Sequence, residues 1–436
     1  MRAPKASPLP AGLPLRLAAA ERLRHVMTGS RFAPFGAADI ADGRDRALAN
    51  RLVTTALRQQ GHLNLVLAHL LERGLPGKSG NFEAVLRLAL TQLLYLPEIG
   101  EHSAIFLAVE ALKRDQKTAH LAKLANAVLR RAQLEAEQLR EAPAFLLIPE
   151  GLRKGWLKAY GSAAVDGFAK ALLAGAPLDL ILKQEDPALV AALGATPLLF
   201  DAVRLESRDR PVEALPGYAE GQWWVQDVAA SLPAHLVGLP PGARVLDLCA
   251  APGGKTAQLV KAGYRVTAVD NDAQRLDRLR ANLARLGYDA EIVEADAASF
   301  APEEKYDAVL LDAPCAATGT FRRHPEVLWH RAAADIAGRA VLQRRLLTNA
   351  TRCLRPGGIL VYCVCSLEPE EGEAQAKWVA EALIDLEPVR VAVDELRGLA
   401  MAINATGNVR THPAMAVPGG GDGTLDGFFI ARFRRR

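Results

Sequence analysis

From about Leu15 to Arg140, apolar positions recur at helical spacing. The run Glu83-Ala84-Val85-Leu86-Arg87-Leu88-Ala89-Leu90-Thr91-Gln92-Leu93-Leu94-Tyr95-Leu96 has a broad apolar face, and Pro97 closes it. A second helix runs through Leu121, Leu124, Val128 and Leu129 and presents Arg130 and Arg131. Short polar breaks such as Gly74-Leu75-Pro76-Gly77 separate these helices, with no β alternation between them. The pattern predicts an all-α domain over residues 15–140. Residues 1–14 are Pro-rich and lack the continuous apolar core of a signal peptide, so a disordered tail is expected.

Residues 141–225 are mixed. Pro143 and Pro149 mark a linker, Trp156 to Tyr160 starts a helix, and 178–183 and 202–205 read as short strands. A small α/β connector fits. Beyond it, strand candidates at 244–248, 265–270, 290–294, 307–312 and 359–365 alternate with helices at 256–262, 273–286 and 332–354. Short apolar strands between amphipathic helices predict a mainly parallel sheet covered on both faces, in a last domain over 226–436. The terminal 426–433 is expected to add an edge strand.

A length of 436 residues calls for two or three domains, and half the residues are apolar, a globular composition. Five cysteines do not make a disulfide framework, and Cys363-Val364-Cys365 lacks the spacing of a zinc site. Reduced cytosolic thiols, no metal and a cytoplasmic location are expected. No apolar run reaches the roughly 20 residues of a membrane span. The net charge of +4 is uneven: residues 1–140 hold 20 Lys and Arg against 12 Asp and Glu. The helical domain is thus the better electrostatic handle for a polyanion, although a solvated helical surface carries similar charge.

Asp247-Leu248-Cys249-Ala250-Ala251-Pro252-Gly253-Gly254-Lys255-Thr256 is a glycine-rich turn between a strand and a helix. Adjacent glycines let backbone approach a ligand, and the helix start offers free N–H groups. An ATP loop needs a glycine where Cys249 stands, and a dinucleotide fingerprint needs its glycines apart. Those two readings are disfavoured, leaving a nucleoside cofactor. Asp270 ends the second strand, where a carboxylate can accept both ribose hydroxyls, with a helix N-cap as its ordinary alternative. Asp296 follows the third strand, within reach of an adenine amine. With Asp247, Gly253, Gly254 and Asp312 at other strand ends, the set suggests S-adenosylmethionine.

Cys315, in Leu311-Asp312-Ala313-Pro314-Cys315, and Cys365, in Tyr362-Cys363-Val364-Cys365-Ser366, fall at the carboxyl ends of neighbouring strands. Strand ends are where α/β folds place their chemistry. Cys249, Cys353 and Cys363 read instead as small hydrophobes, in whole or part. Two thiols at strand ends suggest covalent catalysis, one to attack and one to help release.

Together, the motifs at 247–256 and 311–315, Arg322-Arg323-His324-Pro325-Glu326 and Cys365-Ser366 resemble the RNA 5-methylcytosine methyltransferases of the RsmB/NOP (Sun) family. The N-terminal helices, with Leu93-Leu94-Tyr95-Leu96 and Asn126-Ala127-Val128-Leu129-Arg130-Arg131, resemble the NusB-type domain of the bacterial RsmB branch. Asp426-Gly427-Phe428-Phe429 matches the family's ending. The resemblance implies a Rossmann-like class I methyltransferase domain, with a mainly parallel seven-stranded sheet, preceded by an all-α NusB-like RNA-binding domain and the small α/β connector. It implies a cofactor site of Cys249, Ala250, Ala251, Pro252, Gly253, Gly254, Lys255, Asp270, Asp296 and Asp312.

The resemblance also implies a mechanism. A Cys365 thiolate adds to carbon 6 of cytosine, Cys315 assists release, Asp312 holds the Watson–Crick edge, and Lys255 or a helix N-terminus lowers the thiol pKa. Arg130, Arg131, Arg322, Arg323 and His324 are the candidate RNA contacts, the last three alternatively ordering their loop. Ribosomal RNA is the implied partner and a monomer is expected. A transfer-RNA enzyme and a non-catalytic assembly factor are the rivals. One departure stands out: the family's Pro-Cys-Ser-Gly-Thr-Gly reads Pro314-Cys315-Ala316-Ala317-Thr318-Gly319 here.

Overall fold

A computed structural model describes residues 9–77, 79–205, 210–331, 333–421 and 423–436. The expected tail over 1–14 therefore lies mostly outside the described residues. The chain divides into two compact units, residues 1–154 with 324–330, and 155–323 with 331–436.

The first unit is helical. Helices Leu13–Met27, Gly43–Arg58, Glu101–Arg114 and Ala122–Leu134 pack around Phe82–Tyr95. The sequence gives that central helix a broad apolar face, but the structure buries it nearly all round, as neighbours on every side require. Arg87 and Gln92 on it find partners within the core. Arg87 donates to Glu83 and Asn64, and Gln92 donates to Gly100 O and accepts from Arg16. Residues 324–330 also belong here. The turn Pro325–Leu328 is buried, Glu326 Oε1 accepts the Phe32 N–H at 3.1 Å, and His330 Nε2 donates to Val26 O at 2.7 Å.

The second unit holds two sheets. Strands β1 (Leu178–Leu182), β2 (Ala195–Pro197), β3 (Ala202–Leu205) and β4 (Trp223–Val225) form an antiparallel sheet in the order β2-β3-β1-β4. The larger sheet comprises β5 (Arg244–Leu248), β6 (Arg265–Asp270), β7 (Glu291–Glu294), β8 (Tyr306–Asp312), β9 (Leu354–Val364), β10 (Leu386–Pro388), β11 (Val409–Thr411) and β12 (Phe428–Arg435). Its order is β10-β12-β9-β8-β5-β6-β7, with β11 also on β12.

Neighbours from β9 to β7 run parallel, and β12 runs antiparallel to β9. The central strands are buried near-continuous apolar runs, as a sheet covered on both faces demands. Two expectations need correction. The sheet has eight strands rather than seven. The terminal strand is also not an edge, because β10 and β11 pair with β12 opposite and beyond β9. Both are three residues long, too short to carry an alternation.

Candidate active site

From β5 the sheet extends one way through β6 and β7 and the other through β8 and β9. At such a switch point, open α/β sheets hold ligands outside the carboxyl ends of their strands. The residues that can do chemistry gather there.

Beyond β5, Cys249 takes the left-handed conformation, φ +61°. That costs a residue with a Cβ about 1 kcal/mol or more, a strain typical of functional sites. Gly253, φ +99°, then opens helix Gly254–Lys261. Asp247 is fully buried, and its Oδ2 accepts the Thr256 hydroxyl at 2.6 Å. Its Oδ1 has no hydrogen-bond partner, and burial pushes the carboxyl pKa up to about 7 against the Thr256 bond.

Asp270 braces the loop from β6: its Oδ2 accepts the Ala251 N–H at 3.1 Å and its Oδ1 accepts the Asp272 N–H at 3.2 Å. The helix N-cap that follows is Asp272, not Asp270. Asp296 is exposed and accepts the Ala298 N–H at 2.9 Å.

Asp312 closes β8. Its Oδ2 lies 2.7 Å from Lys255 Nζ, and its Oδ1 lies 3.4 Å from Cys363 Sγ. Burial pulls the Lys255 pKa down, but Asp312, Cys363 and Cys365 outweigh it, and the ammonium is held firmly. Cys315 and Cys365, from the ends of β8 and β9, stand with their sulfurs 3.4 Å apart. The bond with Cys365 and burial raise the Cys315 thiol well above its usual pKa. Ala313 N–H and Gly319 N–H donate to Cys363 O and Cys365 O, each at 3.0 Å, which ties the two loops together. A side chain at Gly319 would put its Cβ 2.0 Å from Gly427 O, so only glycine fits.

The donor set suits S-adenosylmethionine, which carries an ammonium and a sulfonium. After burial, the carboxylates of Asp312, Asp270 and Asp247 push the Cys249 thiol up, so three acids converge on the loop. One of their oxygens, Asp247 Oδ1, has no partner. A cationic ligand complements that field, and the glycine turn leaves backbone open to it. When bound, S-adenosylmethionine supplies an electrophilic methyl group.

The sequence reading missed Glu371. Both of its carboxylate oxygens accept the Ala316 N–H at 3.0 Å, one also accepts from Gln343, and its backbone carbonyl accepts from Tyr362. Arg331 Nε donates to Ala316 O at 3.0 Å. The backbone of Ala316, next to Cys315, is thus held at both its N–H and its carbonyl. In sequence, Glu368-Pro369-Glu370-Glu371 looks like a solvated acidic run, and nothing local marks its burial.

The sequence model of a family described as 16S rRNA methyltransferase RsmB/F matches residues 235–434, and that of the NusB family matches 16–134. A ribosomal RNA small subunit methyltransferase B from Xanthomonas campestris is 39% identical, covering 86% of this chain and 90% of its own. The protein of that name from Pseudomonas putida is 38% identical over 82% and 86%. The chain belongs to the RsmB/F methyltransferase family. Among solved structures, PH0851 matches the RsmB/F chain at TM-score 0.75 and 22% identity, covering 99% of it and 100% of PH0851, which shows the shared fold. A methyltransferase homolog from Pyrococcus horikoshii matches at TM-score 0.53 and 26% identity, covering 65% of this chain and 94% of its own. The RsmB/F fold here is α/β with a helical NusB domain, and the enzyme class is S-adenosylmethionine-dependent.

The RsmB/F chain places its arginines unevenly. Arg322 is fully buried. It donates to Asp426, Asp227 and Thr424 O, which corrects its reading as a phosphate contact: it orders the loop. Arg323 pairs with the same two carboxylates at 2.5–2.6 Å and is largely committed there. In the helical unit, His324 Nε2 accepts from Arg31 at 2.7 Å and its Nδ1 faces Glu326. Arg131 is half-exposed and paired with Glu135, and Arg130 is exposed. Among the described residues no helix is long and apolar enough to cross a membrane, and no His, Cys, Asp and Glu cluster suits a metal ion.

Proposed function

We propose that this chain is an RNA cytosine-5 methyltransferase acting on 16S ribosomal RNA in the cytoplasm, as a monomer. The observation that carries the reading is the Cys315–Cys365 pair, 3.4 Å apart beside the Lys255–Asp312 ion pair. An alkyl transfer to nitrogen or oxygen needs no thiol, whereas carbon 5 of cytosine is a poor nucleophile until a thiolate adds at carbon 6. The names of the relatives, ribosomal RNA small subunit methyltransferases, support the ribosomal substrate.

In this reading the target base leaves its stack to enter the site. Cys365 sulfur bonds to carbon 6, and the ring's electrons become available at carbon 5. Asp312, held by Lys255 and Cys363, receives the Watson–Crick edge. After methylation, Cys315 gives up its own proton to solvent and then takes the carbon-5 proton as base, the sulfur–carbon 6 bond breaks, and Cys365 returns as thiolate. The residues at 249–255, with Asp270, Asp296 and Asp312, would hold the methyl donor. The helical domain over 15–140 would take RNA by charge and shape, with Arg130 and Arg131 as contacts.

Incubation with labelled cofactor and ribosomal RNA tests this directly. Cys315→Ala should trap a covalent protein–RNA adduct, and Cys365→Ala should form none. An adduct surviving in Cys365→Ala would reverse the roles. Bisulfite mapping of RNA from a deletion strain would name the base, and a methylated site lost from transfer RNA instead would overturn the substrate.

A further inference from the structure

We propose that Cys315 and Cys365 are also a modification site, which hydroperoxides oxidise to a reversible disulfide. The sulfurs are 3.4 Å apart, and both cysteines are free. They leave adjacent parallel strands whose register sets Asp312 opposite Cys363, so residues 315 and 365 emerge side by side. Moving from contact to a bond of about 2.05 Å needs a closure of roughly 1.4 Å, within reach of side-chain rotation.

The environment assigns an order to the two sulfurs. Cys365 is only partly buried, whereas Cys315 is 9% exposed. The Lys255 ammonium also lies close enough to interact with Cys365. Cys365 thiolate attacks one peroxide oxygen, breaking the O–O bond. It becomes a sulfenic acid, and the other oxygen leaves as water or an alcohol after taking a proton. Cys315 sulfur then attacks the sulfenic sulfur, its proton and the departing hydroxide leave as water, and the disulfide forms. Two electrons pass from the thiols to the peroxide. A cellular dithiol returns them by exchange. Cys363 is a poor competitor, since it is fully buried and its sulfur faces Asp312 Oδ1.

The disulfide needs only the two thiols, while its effect on methyl transfer rests on Cys365 being the nucleophile. Closure would stop turnover and shield Cys365 from irreversible sulfinic acid, with Cys315 as resolving thiol.

The test uses the reduced full-length protein, exposed to hydrogen peroxide and digested without reductant. A peptide cross-linked through Cys315 and Cys365 is expected by mass spectrometry. Methyl transfer should fall at least tenfold as it forms and recover with dithiothreitol. In Cys315→Ser, Cys365 should instead gain two oxygens and stay oxidised after dithiothreitol. Singly oxidised Cys365 without a cross-link in the native protein, or a cross-link through Cys363 or Cys249, would overturn the proposal. The mass map of the native protein decides it even where the variant does not fold. A cross-link in a protein that never methylates RNA would uphold the oxidation site and remove the methylation reading.

Discussion

Lys255 Nζ holds Asp312 Oδ2 at 2.7 Å while Cys363 Sγ meets the other oxygen at 3.4 Å. The carboxylate therefore arrives at the end of β8 already oriented, with a cation on one side and a thiol on the other. An orienting charge in a water-poor site is worth far more than one in solvent. Lys255→Met should lower kcat for methyl transfer by about 100-fold or more, by analogy with loss of a preorganised polar group. Lys255→Arg should restore part of it. RNA affinity, read by filter binding, should change little, and an unaltered kcat would remove Lys255 from the machinery.

The catalytic half is the more legible part of the sequence. Its strands are short apolar runs ended by chemically distinctive residues, so 244–248, 265–270 and 273–286 coincide with the observed elements. The three-residue strands β2, β4, β10 and β11 are not legible, because their pairing is set by distant partners rather than by local alternation. Side-chain roles divide the same way. The Cys315–Cys365 proximity follows from strand ends, but Arg322 reads as a surface cation and lies buried against Asp227 and Asp426, residues about a hundred positions away on either side. Glu371 is hidden for the same reason. Burial of a charged residue depends on partners that a local window does not contain.

Arg322 carries a stability prediction that separates it from RNA binding. It bridges Asp227 Oδ2 at 2.8 Å and Asp426 Oδ1 at 2.7 Å, with no exposure to solvent. Removing one partner of a buried ion network costs about 3–5 kcal/mol, because the remaining charges lose their compensation. Arg322→Gln should lower the thermal midpoint markedly, read by calorimetry. The slope of log binding constant against log salt should stay that of the parent, since no phosphate contact is lost. A stable variant with a shallower slope would return Arg322 to the RNA surface.

Glu368 links stability to pH. Burial pushes its pKa up to about 7, against the hydrogen bond from Trp156 Nε1 at 3.0 Å. The folded state therefore prefers the protonated acid. This contribution is fully present below the unfolded pKa near 4.5 and is lost as pH rises through about 7. Its size is at most about 3 kcal/mol. Glu368→Gln keeps an acceptor for Trp156 and stays neutral. Parent and variant should show the same spacing of urea midpoints only below pH 4.5, and the variant should gain steadily up to pH 8. A midpoint difference independent of pH would contradict the shifted acid.

Ala317 occupies a position made for glycine. It sits at φ +59°, ψ +20°, beside the Ala316 backbone clamped by Glu371 and Arg331, and the resembling family carries glycine there. The left-handed conformation costs a residue with a Cβ roughly 1–2 kcal/mol. A glycine would relieve that but lose about 0.5–1 kcal/mol more backbone entropy on folding. The difference leaves Ala317→Gly about 0–1.5 kcal/mol more stable, a small upward step in the thermal midpoint. The chemistry should respond the other way. The alanine restrains the loop that presents Cys315, so the glycine variant should release its covalent RNA adduct more slowly, read as a higher steady-state fraction of cross-linked protein on denaturing gels. A variant both less stable and unchanged in adduct level would mean that the surrounding clamp, and not residue 317, sets the loop.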